Sequence, residues 1–313
     1  MQVARFFLPC HFDLMKSLNF YDRPGFDRAS HLRREQEWLL DRIADEASQL
    51  VPIWRSRNLV ADAKQPALTT ISMNTNLLEQ SPVLVFLGLV NDVAHFAIDL
   101  SAEAEAPLKE FGSFEDLRRI GPLLPRDEGS IMAFARAHMT WHKRHFFCGV
   151  CGSETESREG GHVRVCKDEK CNSHCFPRID PAVIMLVHDG KDRIVLGRKK
   201  TMQPGQHSIL AGFVEPGESL ENAVAREIFE EVGLEITDIE YHSSQPWPFP
   251  ANIMLGFTAR ATTFDLTVDY NELEDGAQWF SREFLQNSPE NDTFRLPRRD
   301  SISWRLMNEW IDG

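Results

Sequence analysis

The segment at residues 212–234, GFVEPGESLENAVAREIFEEVGL, constrains the fold and the chemistry of this chain more than any other. Ser219 is a favourable N-cap residue, good helix formers follow it, and Gly233 has the chemistry expected just beyond a helix C-terminus. We therefore predict a helix over about residues 220–232. At about 100° per residue, one apolar stripe of this helix is buried and consists of Leu220, Val224, Ile228 and Val232.

Acidic side chains flank that apolar stripe. By the same geometry Glu231 lies about 40° from the middle of the stripe and Glu227 about 80°, and Glu230 stands between them in the sequence. Like charges at this spacing repel by about 0.2–0.5 kcal/mol per pair, and no lysine is placed to offset them. Clustered carboxylates suit Mg²⁺ or Mn²⁺, so we predict a divalent-cation site; a merely solvated helix face is the alternative. Arg226 lies on the far side of the helix and is predicted to orient a carboxylate.

Length and charge limit the class of protein. The chain has 313 residues, enough for two or three units with separate cores. Its formal net charge of −13 argues against a broad electrostatic grip on nucleic acid, so a nucleic-acid substrate would be held at its end. The most apolar stretch, residues 82–100, is interrupted by polar residues and does not predict a membrane span. Residues 1–17 show no secretory signal, so we expect a cytoplasmic location by default, with an organelle as the alternative.

Cysteines crowd into one short segment, residues 148–175. In an intracellular enzyme, such crowding indicates metal binding more often than disulfides. We predict a tetrahedral structural zinc ion held by four thiolates, those of Cys148, Cys151, Cys166 and Cys171. Cys175 and His174 compete for the fourth position, and a reduced cluster without metal is the alternative. A site closed by four thiolates has no open position, so this zinc is expected to hold the fold and not to take part in catalysis.

The rest of the sequence indicates an α+β chain of several domains. An amphipathic helix is expected at residues 31–50, and residues 121–129 have the composition of a linker. Ser130 is expected to cap a helix that leads into the cysteines. The later part alternates strands with one long helix and a final helix; the strands are expected at residues 182–189, 193–200, 207–214, 235–243 and 252–261, and the final helix at residues 302–311. This pattern predicts an α/β/α sandwich, and no internal repeat is apparent.

The string SQPWPFP at residues 244–250 narrows the class further. Alone it is typical of a rigid connection between strands, because prolines fix φ and remove donors. Together with residues 212–234, which resemble the Nudix box, and with the cysteines, it resembles the NADH pyrophosphatase family of Nudix hydrolases. The resemblance covers about residues 132–311. The predicted architecture is therefore α+β and multidomain; its parts are an N-terminal α+β domain (1–129), a helix plus zinc ribbon (130–178) and a C-terminal Nudix α/β/α sandwich with a mixed sheet (179–313).

The resemblance implies metal-dependent hydrolysis of the diphosphate of NADH or NAD⁺ to nicotinamide mononucleotide and AMP. It also implies a homodimer with its site near the subunit interface. The implied catalytic residues and ligands of Mg²⁺ or Mn²⁺ are Glu227, Glu230 and Glu231, with Glu231 favoured as general base. A further metal ligand is implied in an acidic loop, at Glu272 or alternatively at Glu274 or Asp275.

Substrate contacts are implied at seven positions. Phe213 is expected to stack on the nicotinamide ring, with ordinary core packing as the alternative. The other implied positions are Ala211, Gln245, Asn252, Met254, Phe176 and Ser303.

Two other functions stay open. The same chemistry would remove the NAD cap from RNA 5′ ends, or act on a broader range of dinucleotides. A local basic patch would serve the RNA, and candidates for it are Arg295, Arg298, Arg299, Arg33 and Arg34. The other possibility is a binding module whose Nudix domain has lost activity, and the intact glutamates argue against it.

Overall fold

The computed structural model describes residues 19–22, 27–79, 81 and 83–313. The segment in which no secretory signal is expected, residues 1–17, lies outside the described residues. Within the described part, no helix combines the length and the apolarity needed to cross a membrane.

A six-stranded mixed sheet forms the N-terminal part of the structure. Its strands are β1 (Gln49–Trp54), β2 (Arg57–Val60), β3 (Ile71–Ser72), β4 (Leu84–Val90), β5 (Val93–Asp99) and β6 (Ser113–Glu115). The order is β4-β5-β1-β2-β6 with β3 beside β1; β1 and β5 run parallel and the other pairs antiparallel. Its helices are α1 (Gln36–Ala44), α2 (Thr75–Glu79), α3 (Leu117–Ile120) and α4 (Arg126–Arg144). Helix α4 covers one face of the sheet through Ile131, Ala135 and Met139.

A three-stranded antiparallel sheet follows α4 and carries the clustered cysteines. Its strands are β7 (Thr155–Arg158), β8 (Val163–Cys166) and β9 (His174–Cys175). His162 Nε2 lies 2.7 Å from the carbonyl oxygen of Phe86, on the outer edge of β4. Arg164 Nη1 donates to His142 Nδ1 at 3.0 Å, and His142 Nε2 lies 2.7 Å from Gly161 O. The small sheet is therefore fixed both to the edge of the N-terminal sheet and to α4.

The C-terminal part is a second six-stranded mixed sheet between helices. Its strands are β10 (Asp180–His188), β11 (Arg193–Gly197), β12 (Leu210–Phe213), β13 (Ile236–Trp247), β14 (Asn252–Ala261) and β15 (Ala277–Ser281), and its helices are α5 (Leu220–Val232), α6 (Arg282–Gln286) and α7 (Ile302–Asp312). Side chains alternate across β10: Val183, Met185 and Val187 pack in the same cluster as α5, and Ile184 and Leu186 in the same cluster as α7. Both faces of the central strand are thus covered, which confirms the predicted α/β/α sandwich.

The two six-stranded sheets share one topology. The C-terminal order is β13-β14-β10-β11-β15 with β12 beside β10, and its single parallel pair, β10 with β14, corresponds to β1 with β5. In both sheets a helix connects the third and fourth strands, α2 in the first and α5 in the second. The repeat is not apparent in the sequence, because α2 has five residues where α5 has thirteen and carries no comparable row of glutamates.

Three sequence-based element predictions need correction. The helix expected at residues 31–50 is a 3-10 turn at Ser30–Arg34 followed by α1, and the apolar residues after Gln49 belong to β1, which pairs with β3 and β5. The linker expected at residues 121–129 contains a 3-10 turn and the first residues of α4, which starts directly after Pro125. Ser130 does not cap that helix, since its hydroxyl donates to Asp127 O at 2.7 Å. We therefore propose that the first domain ends after α4.

Candidate active site

The predicted acidic helix is confirmed as α5, with the predicted bounds Leu220–Val232. Ser219 Oγ accepts a hydrogen bond from Asn222 N at 3.2 Å, which satisfies a free donor of the first turn. Gly233 has the left-handed conformation, φ 70° and ψ 15°, which ends the helix at little steric cost because glycine has no Cβ. Local sequence signals therefore fix where the glutamates stand.

Glu231 is the most enclosed carboxylate of the helix, with 2% of its surface exposed. Its Oε2 is buried and has no hydrogen-bond partner. Burial, together with the nearby carboxylates of Glu227 and Glu272, raises the pKa of Glu231 to about 7 although Lys199 opposes the shift. A buried oxygen without a partner is costly, so the structure offers this atom to a ligand.

Arg226 organises the acidic residues around it. Its guanidinium donates to Glu218 Oε1 and Oε2 at 2.8 and 2.9 Å, to Glu227 Oε1 at 2.8 Å and to Glu230 Oε2 at 2.9 Å. It also donates to the carbonyl oxygen of Phe213 at 2.9 Å, which ties the helix to the end of β12. These carboxylates raise the pKa of Arg226, and the hydrogen bonds to Glu218 contribute most. The prediction that Arg226 orients a carboxylate is confirmed.

Gly212 makes room for Glu227. A Cβ atom at residue 212 would lie 1.8 Å from Glu227 Cδ and 2.0 and 2.1 Å from its two oxygens. The carboxylate therefore rests directly against the backbone of β12, in a space that any larger residue would fill. This close contact explains physically why a glycine occupies the end of this strand.

Lys199 and Glu272 complete the acidic cluster. Lys199 Nζ lies 3.2 Å from Glu272 Oε2 and 3.7 Å from Glu231 Oε1. The loop of Glu272 is anchored to the end of α5, where Asp269 N donates to Glu231 O at 2.9 Å. Of the three acidic residues considered in this loop, Glu272 is the one that shares a cation with Glu231. Glu274 Oε2 instead accepts from Lys200 N at 2.8 Å, and Asp275 pairs with Arg198 at 2.7 Å.

The expected substrate positions fall into two groups. Phe213 and Phe176 are 58% and 62% exposed, so the core-packing alternative for Phe213 does not hold. Partly buried positions on β12 and β14, which both pair with β10, are Ala211, Asn252 and Met254, and Ala211 and Met254 also pack against the cluster around α7. These five side chains remain candidates for contact with substrate.

Gln245 and Ser303 are enclosed by protein. Gln245 Nε2 donates to Phe20 O and Asp300 O, both at 2.8 Å, and its Oε1 accepts from Ile302 N at 2.6 Å. Ser303 Oγ lies 2.9 Å from Ser208 Oγ, and 4% of Ser303 is exposed. The structure therefore does not support direct substrate contact by either residue. Gln245 thus fastens the start of α7 to β13, and Ser303 contacts the segment just before β12.

The sequence analysis missed the roles of three residues of this cluster, which are Lys199, Glu218 and Gly212. Gly212 forms the space, or cradle, that holds the carboxylate of Glu227. Lys199 lies in a basic run directly after β11, which was a usable signal. The roles of Gly212 and Glu218 depend on how α5 packs against β12, and no local pattern reports that packing.

The four predicted zinc ligands meet in the structure. The Sγ atoms of Cys148, Cys151, Cys166 and Cys171 all lie within 4.8 Å of one another, with Cys151 and Cys166 at 3.4 Å and Cys148 and Cys171 at 3.9 Å. A tetrahedral ion with Zn–S bonds near 2.3 Å implies S–S separations of about 3.8 Å. These separations are too long for a disulfide. Cys175 is not part of the group, so the geometry favours Cys171 as the fourth ligand.

We expect Cys166→Ser to lower zinc content and thermal stability together, because binding free energy at a closed site is folding free energy. If the lost thiolate removes about 3 kcal/mol, Tm should fall by about 6–12 °C. Cys175→Ser is the matched control, because its thiol lies outside the cluster, and it should keep both zinc and Tm. Metal analysis alongside melting curves tests this. A Cys166→Ser protein that loses zinc but melts like wild type would show that the ion does not hold the fold.

Comparison with known proteins agrees with this architecture. Family models described as a NUDIX domain, an NADH pyrophosphatase-like rudimentary NUDIX domain and an NADH pyrophosphatase zinc ribbon domain match residues 178–304, 47–141 and 143–176. The α/β/α fold and its acidic helix are those of a Nudix hydrolase. The three models match successive parts of the chain, and the chain therefore belongs to the NADH pyrophosphatase family of these hydrolases.

Named relatives extend over most of the chain. NAD-capped RNA hydrolase NudC from Mycobacterium bovis is 34% identical over 310 residues, which cover 95% of this chain and 96% of the relative. Human NAD-capped RNA hydrolase NUDT12 is 31% identical, covering 94% of this chain and 73% of its own. Nudix hydrolase 19, chloroplastic, from Arabidopsis thaliana is 42% identical over 80% of this chain, and that match spans 60% of the plant protein's length.

Proposed function

We propose that this protein hydrolyses the diphosphate of NADH or NAD⁺ to nicotinamide mononucleotide and AMP. The observation that carries the proposal is the buried, unpartnered Oε2 of Glu231 inside a cluster of carboxylates. The exposed ring of Phe213, at the end of the strand that leads to this cluster, supports a substrate with an aromatic base.

The chemistry requires water to attack phosphorus while a phosphate leaves. We propose that Glu227, Glu230, Glu231 and Glu272 hold Mg²⁺ or Mn²⁺, which when bound neutralises diphosphate oxygens and lowers the pKa of bound water. Arg226 donates hydrogen bonds to both Glu227 and Glu230 and so holds the two carboxylates in position. Glu231 Oε2 is the oxygen available either to hold the cation or to accept the proton of the attacking water. The zinc ion proposed at the four cysteines would have no role in this step.

Product analysis with a panel of substrates tests the proposal. Purified protein with Mg²⁺ or Mn²⁺ should convert NADH and NAD⁺ to nicotinamide mononucleotide and AMP with higher kcat/KM than ADP-ribose, FAD or diadenosine polyphosphates. Release of free nicotinamide would indicate cleavage of the wrong bond. No turnover of any dinucleotide would favour a binding module that has lost activity.

Phe213→Ala should separate nicotinamide recognition from diphosphate recognition. An aromatic contact contributes about 1–3 kcal/mol, so kcat/KM for NADH should fall by about 5- to 150-fold. ADP-ribose keeps the diphosphate but lacks the nicotinamide, so its kcat/KM should change little. Tm should not fall, because the ring is mostly exposed. Equal losses for both substrates, together with a lower Tm, would reject the stacking role.

A second candidate substrate is the NAD cap at the 5′ end of RNA. It is favoured by the relatives from M. bovis and human, whose names are those of NAD-capped RNA hydrolases. The basic residues considered for RNA are mostly paired with acids, as Arg295 is with Asp292, Arg298 with Asp300 and Arg34 with Glu159. Any RNA contact would therefore be local. Comparing kcat/KM for NADH and for a short NAD-capped RNA decides between the two substrates.

We also propose that the protein is a homodimer. Large apolar side chains are exposed on the cysteine-bearing segment and at the entry to β10, and these are Phe147, Val150, Phe176 and Ile179. Large apolar side chains left exposed over one short stretch of chain are typical of a surface that is covered by a partner. Sedimentation equilibrium should give twice the monomer mass, and Val150→Asp should shift the equilibrium towards monomer. A monomeric wild-type protein at micromolar concentration would reject the dimer.

A further inference from the structure

Lys199 occupies an unusual place for a lysine, beside the most enclosed carboxylate of the acidic cluster. The chain on both sides of it is fixed by one loop: Arg198 N donates to Gly276 O at 3.0 Å, and Lys200 N donates to Glu274 Oε2 at 2.8 Å. Arg198 itself pairs with Asp275. The backbone is therefore held firmly, and the flexible part is the four-carbon side chain that ends at Glu231 and Glu272.

The cations of this cluster divide the carboxylates between them. Arg226 is committed to Glu218, Glu227 and Glu230, at distances of 2.8–2.9 Å. Lys199 Nζ stands between Glu231 and Glu272, at 3.7 and 3.2 Å. Two carboxylates this close to one ammonium, one of them nearly without solvent, would repel each other strongly if the ammonium were removed.

We propose that Lys199 is a tethered cation that competes with the divalent ion for the carboxylates of Glu231 and Glu272. This inference rests on the metal site of the proposed function and concerns its regulation. An ammonium 3.2 Å from a carboxylate oxygen occupies a lone pair that a metal ligand must offer. Two positive groups on the same pair of carboxylates also repel each other. The ammonium therefore leaves when a divalent ion binds, and its unbranched stem allows that movement without a change in the backbone.

The competition predicts the direction in which metal affinity and stability change when the ammonium is removed. Without the ammonium, the carboxylates should bind a divalent ion more tightly, because no cation has to be displaced first. In the absence of metal, the same change should destabilise the protein, because Glu231 loses its neighbouring positive charge while staying buried. A lysine that only supported the fold would lower stability equally with and without metal.

The experiment measures Mn²⁺ binding to zinc-loaded protein in the absence of substrate, by electron paramagnetic resonance of free Mn²⁺. Lys199→Met, which keeps length and removes charge, should lower the Kd about tenfold, as expected for losing a unit charge this close to the ligands. It should also lower Tm without Mn²⁺ and increase the rise of Tm on adding Mn²⁺. Lys199→Arg keeps the charge and should stay within about twofold of wild type.

Lys200→Met is the matched control. It removes the same charge from the next residue along the chain, whose side chain is exposed. Its Kd should change by less than about twofold, since solvent and salt screen that charge. An unchanged or higher Kd for Lys199→Met, or an equal gain for Lys200→Met, would overturn the inference. If wild-type protein binds no Mn²⁺ at this site, the metal site of the proposed function fails instead, so the two failures are distinguishable.

Discussion

Replacement of Glu231 with glutamine is expected to lower kcat by about 10²-fold or more while the fold stays intact. Glutamine has nearly the same shape as glutamate, so the packing around this enclosed side chain is kept. The change removes one negative charge from a cluster whose proposed work is to hold cations against a diphosphate. It also replaces one carboxylate oxygen by an NH₂ group, which can neither bind a cation nor accept a proton.

The measurement is kcat for NADH with saturating Mg²⁺, alongside melting curves with and without metal. Glu231→Gln should melt at or above the wild-type temperature without metal, since a buried charge has been removed. It should lose most of the rise in Tm that Mg²⁺ gives to wild type. Glu221→Gln, an exposed glutamate of the same helix, is the control and should behave like wild type in both assays. Wild-type kcat in Glu231→Gln would overturn the assignment.

Gly212→Ala is expected to reduce activity almost as strongly, by about 10- to 100-fold, with little loss of stability. The new methyl group would overlap the carboxylate of Glu227, which is the far end of a flexible side chain and can rotate away. Rotation breaks its 2.8 Å contact with Arg226 and moves a proposed metal ligand by the width of a methyl group. A displacement of about 1 Å at a catalytic site can cost about 10²-fold in rate.

A double-mutant cycle isolates this steric effect. In a Glu227→Ala background the methyl group meets no carboxylate, so adding Gly212→Ala should change neither kcat nor Mn²⁺ affinity further. In the wild-type background, the same substitution should weaken Mn²⁺ binding. If Gly212→Ala retained full activity in the wild-type background, the cradle would have no role in placing Glu227.

The acidic helix α5 could be predicted closely because its signals are local. Ser219, the apolar stripe and Gly233 set its start, its buried face and its end, and the angular position of Glu231 beside that stripe agrees with its burial. The link between Arg226 and the carboxylates also follows from positions one turn apart on one helix.

Features that depend on long-range pairing could not be predicted in the same way. The helix expected at residues 31–50 failed because the apolar residues after Gln49 pair with β5, more than forty residues away. Gln245 and Ser303 are enclosed because α7 packs against the sheet, and the sequence around neither residue indicates that packing. The positions of Lys199 and Glu272 likewise depend on which loops meet at the end of α5.

The two large sheets share one topology, but they differ in the helix that joins their third and fourth strands. One half keeps a thirteen-residue helix with its carboxylates, and the other keeps a five-residue helix at the same point of the strand order. The N-terminal sheet has no row of glutamates at this point, and its edge strand β4 instead contacts the cysteine-bearing segment through His162. The acidic cluster and the contact with the cysteine-bearing segment therefore lie in separate copies of one strand order. Substitutions in the connection between β3 and β4 are therefore expected to leave the acidic cluster in place, and the same connection is a natural place to graft a second acidic helix.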